Sequence, residues 1–289
     1  MSAENQKTVL VTGSSGQLGK EIQNLASFYP SINFLFTTKE NLDIENFDSI
    51  KRVFDDEQID TCINCAAYTA VDRAETEKDL AFRINADAVG NIASVCNAHQ
   101  AQLIHISTDY VFDGRSKVPY KETDSIDPIN IYGASKLKGE EMALNNNAST
   151  CILRTSWVYS SHGNNFVRTM LRLMKDRSLV NVVNDQFGSP TYAADLANVI
   201  MLIALKDIPI PGLLNYSNEG IITWYEFALA IKEYTKSKCE LRPITTSEFP
   251  TPAARPMFSV LDTSRIRQFL EIDIPNWKSS LHTCLQSLN

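Results

Sequence analysis

The segment that most restricts how this chain can fold is its start, where the apolar run Val9-Leu10-Val11 leads straight into Gly13-Ser14-Ser15-Gly16-Gln17-Leu18-Gly19. A strand that turns directly into a helix through glycines has three needs: a tight bend, a backbone open to close approach, and a helix packed hard against its neighbours. Gly13, Gly16 and Gly19 meet them in turn. The helix that follows presents free N–H groups and a positive dipole end, the ordinary means of holding a pyrophosphate. Ser15, Gln17 and Leu18 stand in the same turn and share that reading. The spacing is GxxGxxG rather than the standard GxGxxG, so a plain tight turn competes; its place between strand and helix favours phosphate binding.

Hydrophobic periodicity predicts strands at 7–12, 33–38, 61–65, 102–108 and 151–159. Helices are predicted at 17–28, 46–57 and 132–145, with helical material across 73–99 in one piece or two. Strands alternating with helices imply an α/β fold with a doubly wound parallel Rossmann-like sheet. After Tyr159 the alternation loosens, with helices expected at 164–175, 193–205 and 223–236 between turn-rich segments. The expected organisation is an NAD(P)-binding Rossmann domain over 1–160. A smaller C-terminal substrate-binding region over 161–289 follows, with segments packing back on the first.

A net charge of -7 argues against a nucleic-acid partner or an anionic membrane surface. No apolar run approaches the ~20 residues needed to span a bilayer. Residues 1–7 lack the apolar core of a signal peptide, which predicts a cytoplasmic protein. Six cysteines suit that compartment as free thiols. Cys62 and Cys65 form a CxxC, but on a strand such positions face opposite ways, so buried apolar residues are a better reading than a redox or zinc site. His99, His105, His162 and His282 show no metal-ligand spacing. No metal ligand is assigned.

A second signal lies downstream, where Tyr132-Gly133-Ala134-Ser135-Lys136 follows Ser107-Thr108-Asp109. Tyr132 and Lys136, four residues apart, fall on one helix face. A free tyrosine with a pKa of about 10 is a poor acid–base group at neutral pH. A nearby ammonium and an oxidised nicotinamide would favour its phenolate. In carbonyl reduction Tyr132 would donate a proton to the developing alkoxide, while Thr108, at the carboxyl end of a strand, holds the same oxygen. A Tyr–Lys pair alone is common on surface helices; its place before the fifth strand and after Ser107-Thr108 sharpens the reading. The second strand ends in Thr37-Thr38-Lys39-Glu40, where hydroxyls and Lys39 could accept a 2′-phosphate; Asp43 and Ile44 follow near the adenine or ribose. Both NADPH and NADH remain open.

These segments carry a resemblance. Together with Ala66-Ala67-Tyr68-Thr69-Ala70-Val71-Asp72, Ser107-Thr108-Asp109-Tyr110-Val111-Phe112-Asp113-Gly114, Arg154-Thr155-Ser156-Trp157-Val158-Tyr159, 184–191 and Arg255-Pro256, they make the chain resemble the extended short-chain dehydrogenase/reductases. Within these it is similar to the dTDP-4-dehydrorhamnose reductases over almost its whole length. The resemblance implies reduction of the C4 keto group of dTDP-4-dehydro-β-L-rhamnose to dTDP-β-L-rhamnose by NADPH or NADH. Thr108, Tyr132 and Lys136 would be catalytic. Ala66, Ala67 and Tyr68 would line the cofactor, and Asn85 would support the active-site helix. Thr108, Asp109 and Trp157 would meet the deoxysugar, Trp157 with an apolar face. Gln186 and Arg255 would help hold the nucleotide diphosphate, with a salt-bridged surface arginine the competing reading of Arg255. Where some members carry an asparagine before the serine, this chain has Phe258-Ser259, which puts the nucleotide end in question. Some members use magnesium at a dimer contact, but no carboxylates map onto that role here; the partners implied are a dTDP-sugar and a second copy in a homodimer.

Two other readings compete. A nucleotide-sugar dehydratase or epimerase shares fold and motif, yet dehydration commonly uses Asp-Glu after the threonine, and Asp109 here precedes Tyr110. A regulatory subunit of methionine adenosyltransferase resembles the same family and acts by binding a partner. The intact Thr108, Asp109 and Trp157 favour an enzyme.

Overall fold

The structure, a computed structural model, describes residues 6–206 and 209–288. The leader reading for 1–7 therefore lies mostly outside the described residues. Strands β1 (Lys7–Thr12), β2 (Ile32–Phe36), β3 (Thr61–Asn64), β4 (Gln102–Thr108), β5 (Thr150–Thr155) and β6 (Gly212–Asn215) form one sheet in the order β6-β5-β4-β3-β1-β2. Every pairing in it is parallel. From β1 the chain runs outward to β2 and then crosses back to β3, so the order reverses between β1 and β3, and the crevice at their carboxyl ends is where such sheets bind ligands.

Helices cover both faces. On one side α1 (Gln17–Ala26) and α5 (Ala193–Ala204) bury Leu18, Ile22, Leu196 and Ile200 against Val9, Val11 and Ile104. On the other, α2 (Phe47–Asp56), α3 (Ala88–Ala98) and α4 (Ile131–Asn146) bury Ile50, Phe54, Val89, Ile92 and Ala143 against Leu10, Cys62 and Leu103. Alternate residues of β1 thus feed opposite layers, as a strand buried on both faces requires. Truncating Ile22, wholly buried, to alanine would cost about 2–5 kcal/mol. Cys62 and Cys65 also part to opposite layers and are free thiols.

A second core is built from helices Phe166–Asp176, Trp224–Thr235 and Trp277–Gln286 and the parallel strands Leu179–Val183 and Glu240–Ile244. Met170, Phe227, Ile231 and Leu281 fill it. Between these elements α5, β6 and the helix Ser264–Leu270 return to the first core through Leu196, Leu214 and Ile266.

Two elements differ from their sequence expectation. The strand expected over 151–159 stops at Thr155, and Val158–Tyr159 pairs instead with Thr191–Tyr192. Trp157, between them, has φ 47, a left-handed conformation that no continuous strand accommodates. The helical stretch 73–99 is broken into Val71–Ala74, Lys78–Phe82, a π turn at Arg83–Asp87 and then α3. Among the described residues no helix is long and apolar enough to cross a membrane.

Candidate active site

A cleft of about 780 Å³ lies at the carboxyl ends of the strands, within the range of roughly 300–1,000 Å³ usual for cofactor and substrate sites. Gly13, Ser15, Gly16, Gln17 and Leu18 border it. Gly13 has φ +63, and a β-carbon there would meet the Ala66 nitrogen at 2.6 Å. The turn therefore sits directly against the chain leaving β3, as only glycine allows. At Gly16 an added β-carbon would meet only the Gly13 carbonyl, at 3.2 Å, so its outer side stays open for a phosphate. Gly19 does not border the cleft; its missing side chain lets α1 close on its own turn, where a β-carbon would meet Ser14 Cα at 2.5 Å.

Beyond β2, Lys39, Asp43 and Ile44 border the cleft, together with Thr38 and Leu42. Lys39 is exposed and reaches Glu45 at 3.6 Å. Beyond β3, Ala66 and Ala67 border it as well, whereas Tyr68 does not. The Tyr68 hydroxyl instead donates to Glu77 at 2.7 Å. Its backbone is gripped by Asn85, which accepts from Tyr68 N–H at 2.9 Å and donates to its carbonyl at 3.0 Å. Tyr68, expected beside the cofactor, is here held by Asn85 and Glu77.

Helix α4 starts where Asn130 accepts from the Gly133 N–H at 2.7 Å, a side-chain cap. One turn in, Tyr132 and Lys136 both border the cleft beside Ser107, Thr108 and Asp109. Lys136 is 2% exposed and donates to the Ile106 carbonyl at 2.6 Å. Its amine also lies 3.2 Å from His105 Nε2. Burial pulls its proton affinity down to about 8, against the opposing pull of Glu140 and Cys65.

The amine of Lys136 faces β4, and burial, followed by the nearby Asp109, pushes Tyr132 up to about 12, with a Thr108 hydrogen bond opposing. Such a tyrosine is a phenol, and thus an acid, throughout the neutral range. Burial likewise raises Asp109 to about 7, with the nearby Ser259 and Thr108 side chains opposing. Thr108 donates to Asp109 Oδ1 at 3.0 Å, while Asp109 Oδ2 and Ser107 Oγ are buried without any partner. Polar atoms left unpaired at a cleft wall suit a ligand that supplies their hydrogen bonds.

At the far end Trp157 borders the cleft, but one face of its indole is covered by Trp224, with ring centroids 3.5 Å apart and planes 9° from parallel. Gly188 also closes on this ring, since a β-carbon there would meet Trp157 Cε2 at 2.5 Å. The apolar face expected for a sugar is therefore already engaged on one side. Gln186 lies outside the cleft lining and donates to Thr246 Oγ1 at 3.0 Å. Arg255, also outside it, holds Asp72 through two bonds of 2.5 and 2.8 Å. Both side chains thus make contacts within the protein, Gln186 with Thr246 and Arg255 with Asp72. Trp224 and Asn164 border the cleft without having been singled out, and so does Cys65, which was read only as a buried apolar residue. No linear pattern marks them, since each reaches the cleft through a loop or helix start. Among the described residues, no cluster of three histidine, cysteine or acidic side chains could hold a metal.

The glycine turn at the sheet's switch point, facing a Tyr–Lys helix and a threonine at the end of β4, defines a Rossmann-like protein of the extended short-chain dehydrogenase/reductase class. The family described as RmlD substrate binding domain matches residues 7–289. The chain is 40% identical over 283 residues to the dTDP-4-dehydrorhamnose reductase of Aggregatibacter actinomycetemcomitans, covering 94% of this chain and 96% of that protein. The crystal structure of a dTDP-4-dehydrorhamnose reductase from Bacillus anthracis in complex with NADP superposes with a TM-score of 0.94 at 40% identity, covering 98% of this chain and 99% of that one. A UDP-glucose 4-epimerase of Thermus thermophilus in complex with NAD shares the fold, with a TM-score of 0.82 at 20% identity, covering 97% and 98% of the two chains. This chain belongs to the dTDP-4-dehydrorhamnose reductase family.

Proposed function

We propose that the protein reduces the C4 keto group of dTDP-4-dehydro-β-L-rhamnose to dTDP-β-L-rhamnose, using NADPH or NADH. The observation that carries this reading is the meeting of Tyr132, Lys136, Thr108 and Asp109 on one wall of a cleft whose other end is the glycine turn. When bound, the reduced nicotinamide supplies the hydride that reaches the carbonyl carbon. Tyr132, kept a phenol by its buried surroundings, donates its proton to the developing alkoxide. The Thr108 hydroxyl shares that oxygen. Asp109, protonated in part near neutrality, can donate as well as accept toward a sugar hydroxyl through its unpartnered Oδ2. Gly13, Ser15, Gly16, Gln17 and Leu18 would take the pyrophosphate on backbone N–H groups.

Ala66, Ala67, Asp43 and Ile44 would flank the nucleoside, and Lys136 the adjoining ribose. Thr38 and Lys39 border the end where a 2′-phosphate would lie, which supports NADPH, as does the relative crystallised with NADP. In this reading residues 1–160 hold the cofactor and 161–289 supply the sugar end through Trp224, within a cytoplasmic homodimer. The reading is tested by following NADPH and NADH oxidation with dTDP-4-dehydrorhamnose and identifying the product by NMR. Cofactor loss matched by dTDP-rhamnose is expected. Tight cofactor binding without turnover would overturn it in favour of another nucleotide sugar or a regulatory subunit.

A further inference from the structure

Gln17 and Glu21 stand four residues apart in α1 and so share one face of that helix. Both reach the loop 160–165, which joins the strand Val158–Tyr159 to the helix Phe166–Asp176 in the second half of the chain. Ser160, wholly buried, donates through Oγ to Glu21 Oε1 at 2.6 Å, and Glu21 is itself buried. Asn165 Nδ2 donates to Gln17 Oε1 at 2.8 Å. The loop is thus fastened at both ends to the helix that opens at the phosphate turn, at points one helical turn apart.

The loop is also braced from within. The Asn165 amide lies 2.8 Å from the Ser160 carbonyl and 3.1 Å from that of His162. Asn165 Oδ1 caps the following helix by accepting from the Arg168 N–H at 3.1 Å. The His162 N–H donates to Ser160 Oγ at 2.9 Å, and the Arg168 guanidinium donates to the Ser161 carbonyl at 2.6 Å. Between the two anchors Gly163 has φ +66, and a β-carbon there would meet Gln17 Cγ at 3.1 Å. Glycine lets the loop rest on the stem of that side chain. Gly163 and Asn164 border the same cleft as Gly13, Ser15, Gly16, Gln17 and Leu18.

We propose that Ser160 and Asn165 are positioning residues for the dinucleotide. Through Glu21 and Gln17 they clasp the loop 160–165 to α1, so that Gly163 and Asn164 form an outer wall at the pyrophosphate end of the cleft. The proposal rests on the reading of the glycine turn as the pyrophosphate site. Gln17 then divides its work: its backbone N–H serves the phosphate, and its side-chain oxygen holds the loop. Because this wall comes from the second half of the chain, the dinucleotide is held between both halves. A reductase exchanges its dinucleotide in every catalytic cycle, and the clasp acts on that affinity rather than on affinity for the sugar.

The test is calorimetric titration of the full-length chain with NADPH, and with NADH in parallel, in the absence of sugar. Asn165→Ser keeps a hydroxyl to cap the helix but loses the amide donor to Gln17. Glu21→Ala removes the acceptor for Ser160, whereas Glu21→Gln retains one. Dinucleotide Kd should rise roughly 3- to 10-fold in Asn165→Ser and Glu21→Ala, the scale of one lost hydrogen bond, and stay close to the original in Glu21→Gln. In steady-state kinetics the dinucleotide KM should follow Kd while the sugar KM stays put. Unchanged affinity in the first two variants, an equal loss in Glu21→Gln, or a matching rise in sugar KM overturns the clasp and leaves the reductase reading standing. Should Glu21→Ala fail to fold, Asn165→Ser decides. The expected affinities with no sugar reduction by the unmodified chain sink the reductase reading alone; an unmodified chain that binds neither dinucleotide sinks both.

Discussion

Asn85 and Ser135 meet side chain to side chain at 3.0 Å, and this contact ties the π turn to the helix that carries Tyr132 and Lys136. The same Asn85 amide closes both polar groups of the Tyr68 backbone. One turn further along α4, Gly139 lies against the Asn85 carbonyl with no room for a β-carbon. π turns recur at functional sites, where the extra residue redirects a side chain; here it aims Asn85 across two elements at once.

Asn85→Ala should therefore cost about 2–5 kcal/mol of stability, because it strands the Tyr68 N–H and carbonyl in a buried setting. Chemical denaturation measures this directly. A loss under about 0.5 kcal/mol, the scale of an ordinary surface change, would show that the bridge is dispensable.

Tyr132→Phe removes the proposed proton donor and little else. Turnover should fall by ~10²-fold or more, the usual scale of acid–base catalysis, while dinucleotide binding measured by calorimetry stays close to that of the unmodified protein. Turnover near the original value would remove Tyr132 from the chemistry.

Asp109 has a folded-state pKa raised from 3.8 to about 7. Below 3.8 the carboxyl is protonated in both states, and its contribution to stability is fully present; it is lost as pH rises through about 7. Ionisation also places a negative charge beside Tyr132 and makes it a weaker acid. The kcat/KM for reduction is accordingly expected to fall as pH rises through about 7. In Asp109→Asn, which keeps a neutral donor and acceptor, that limb should vanish from the pH–rate profile. An unchanged limb in the variant would assign it to another group.

Trp224→Ala uncovers one face of Trp157, its stacking partner at 3.5 Å. Aromatic pairs of this kind contribute about 0.5–1.5 kcal/mol beyond area burial. Steady-state kinetics should show the sugar KM rising roughly 2- to 10-fold, which is that energy expressed as affinity, with the dinucleotide KM little changed. Equal effects on both would place the pair outside the sugar end.

Some of the site was readable because it is local. Gly13 to Gly19 is one unbroken turn, and its three glycines act on atoms within a few residues or on the neighbouring strand end. Tyr132 and Lys136 were paired by helical spacing alone, and Cys62 and Cys65 were separated by strand alternation alone. The pairing of Arg255 was not legible because its partner Asp72 lies 183 residues away, and no periodicity links the two. The stacking of Trp157 was not legible because nothing near it in the chain announces Trp224 or Gly188. The expected fifth strand also ran past Thr155, since apolar content continues through Tyr159 while a left-handed Trp157 interrupts the backbone.

The linear order of residues by itself determined the α/β alternation, the phosphate turn and the Tyr–Lys face, because each arises from interactions over one strand, one turn or one helical repeat. Tertiary structure decided where the lysine's amine points, which indole covers Trp157, and which buried groups keep their protons. Those outcomes depend on β1, β3 and β4 lying side by side and on burial from every direction. Charge and hydrogen-bond polarity inside a protein are properties of that enclosure rather than of any segment that lines it.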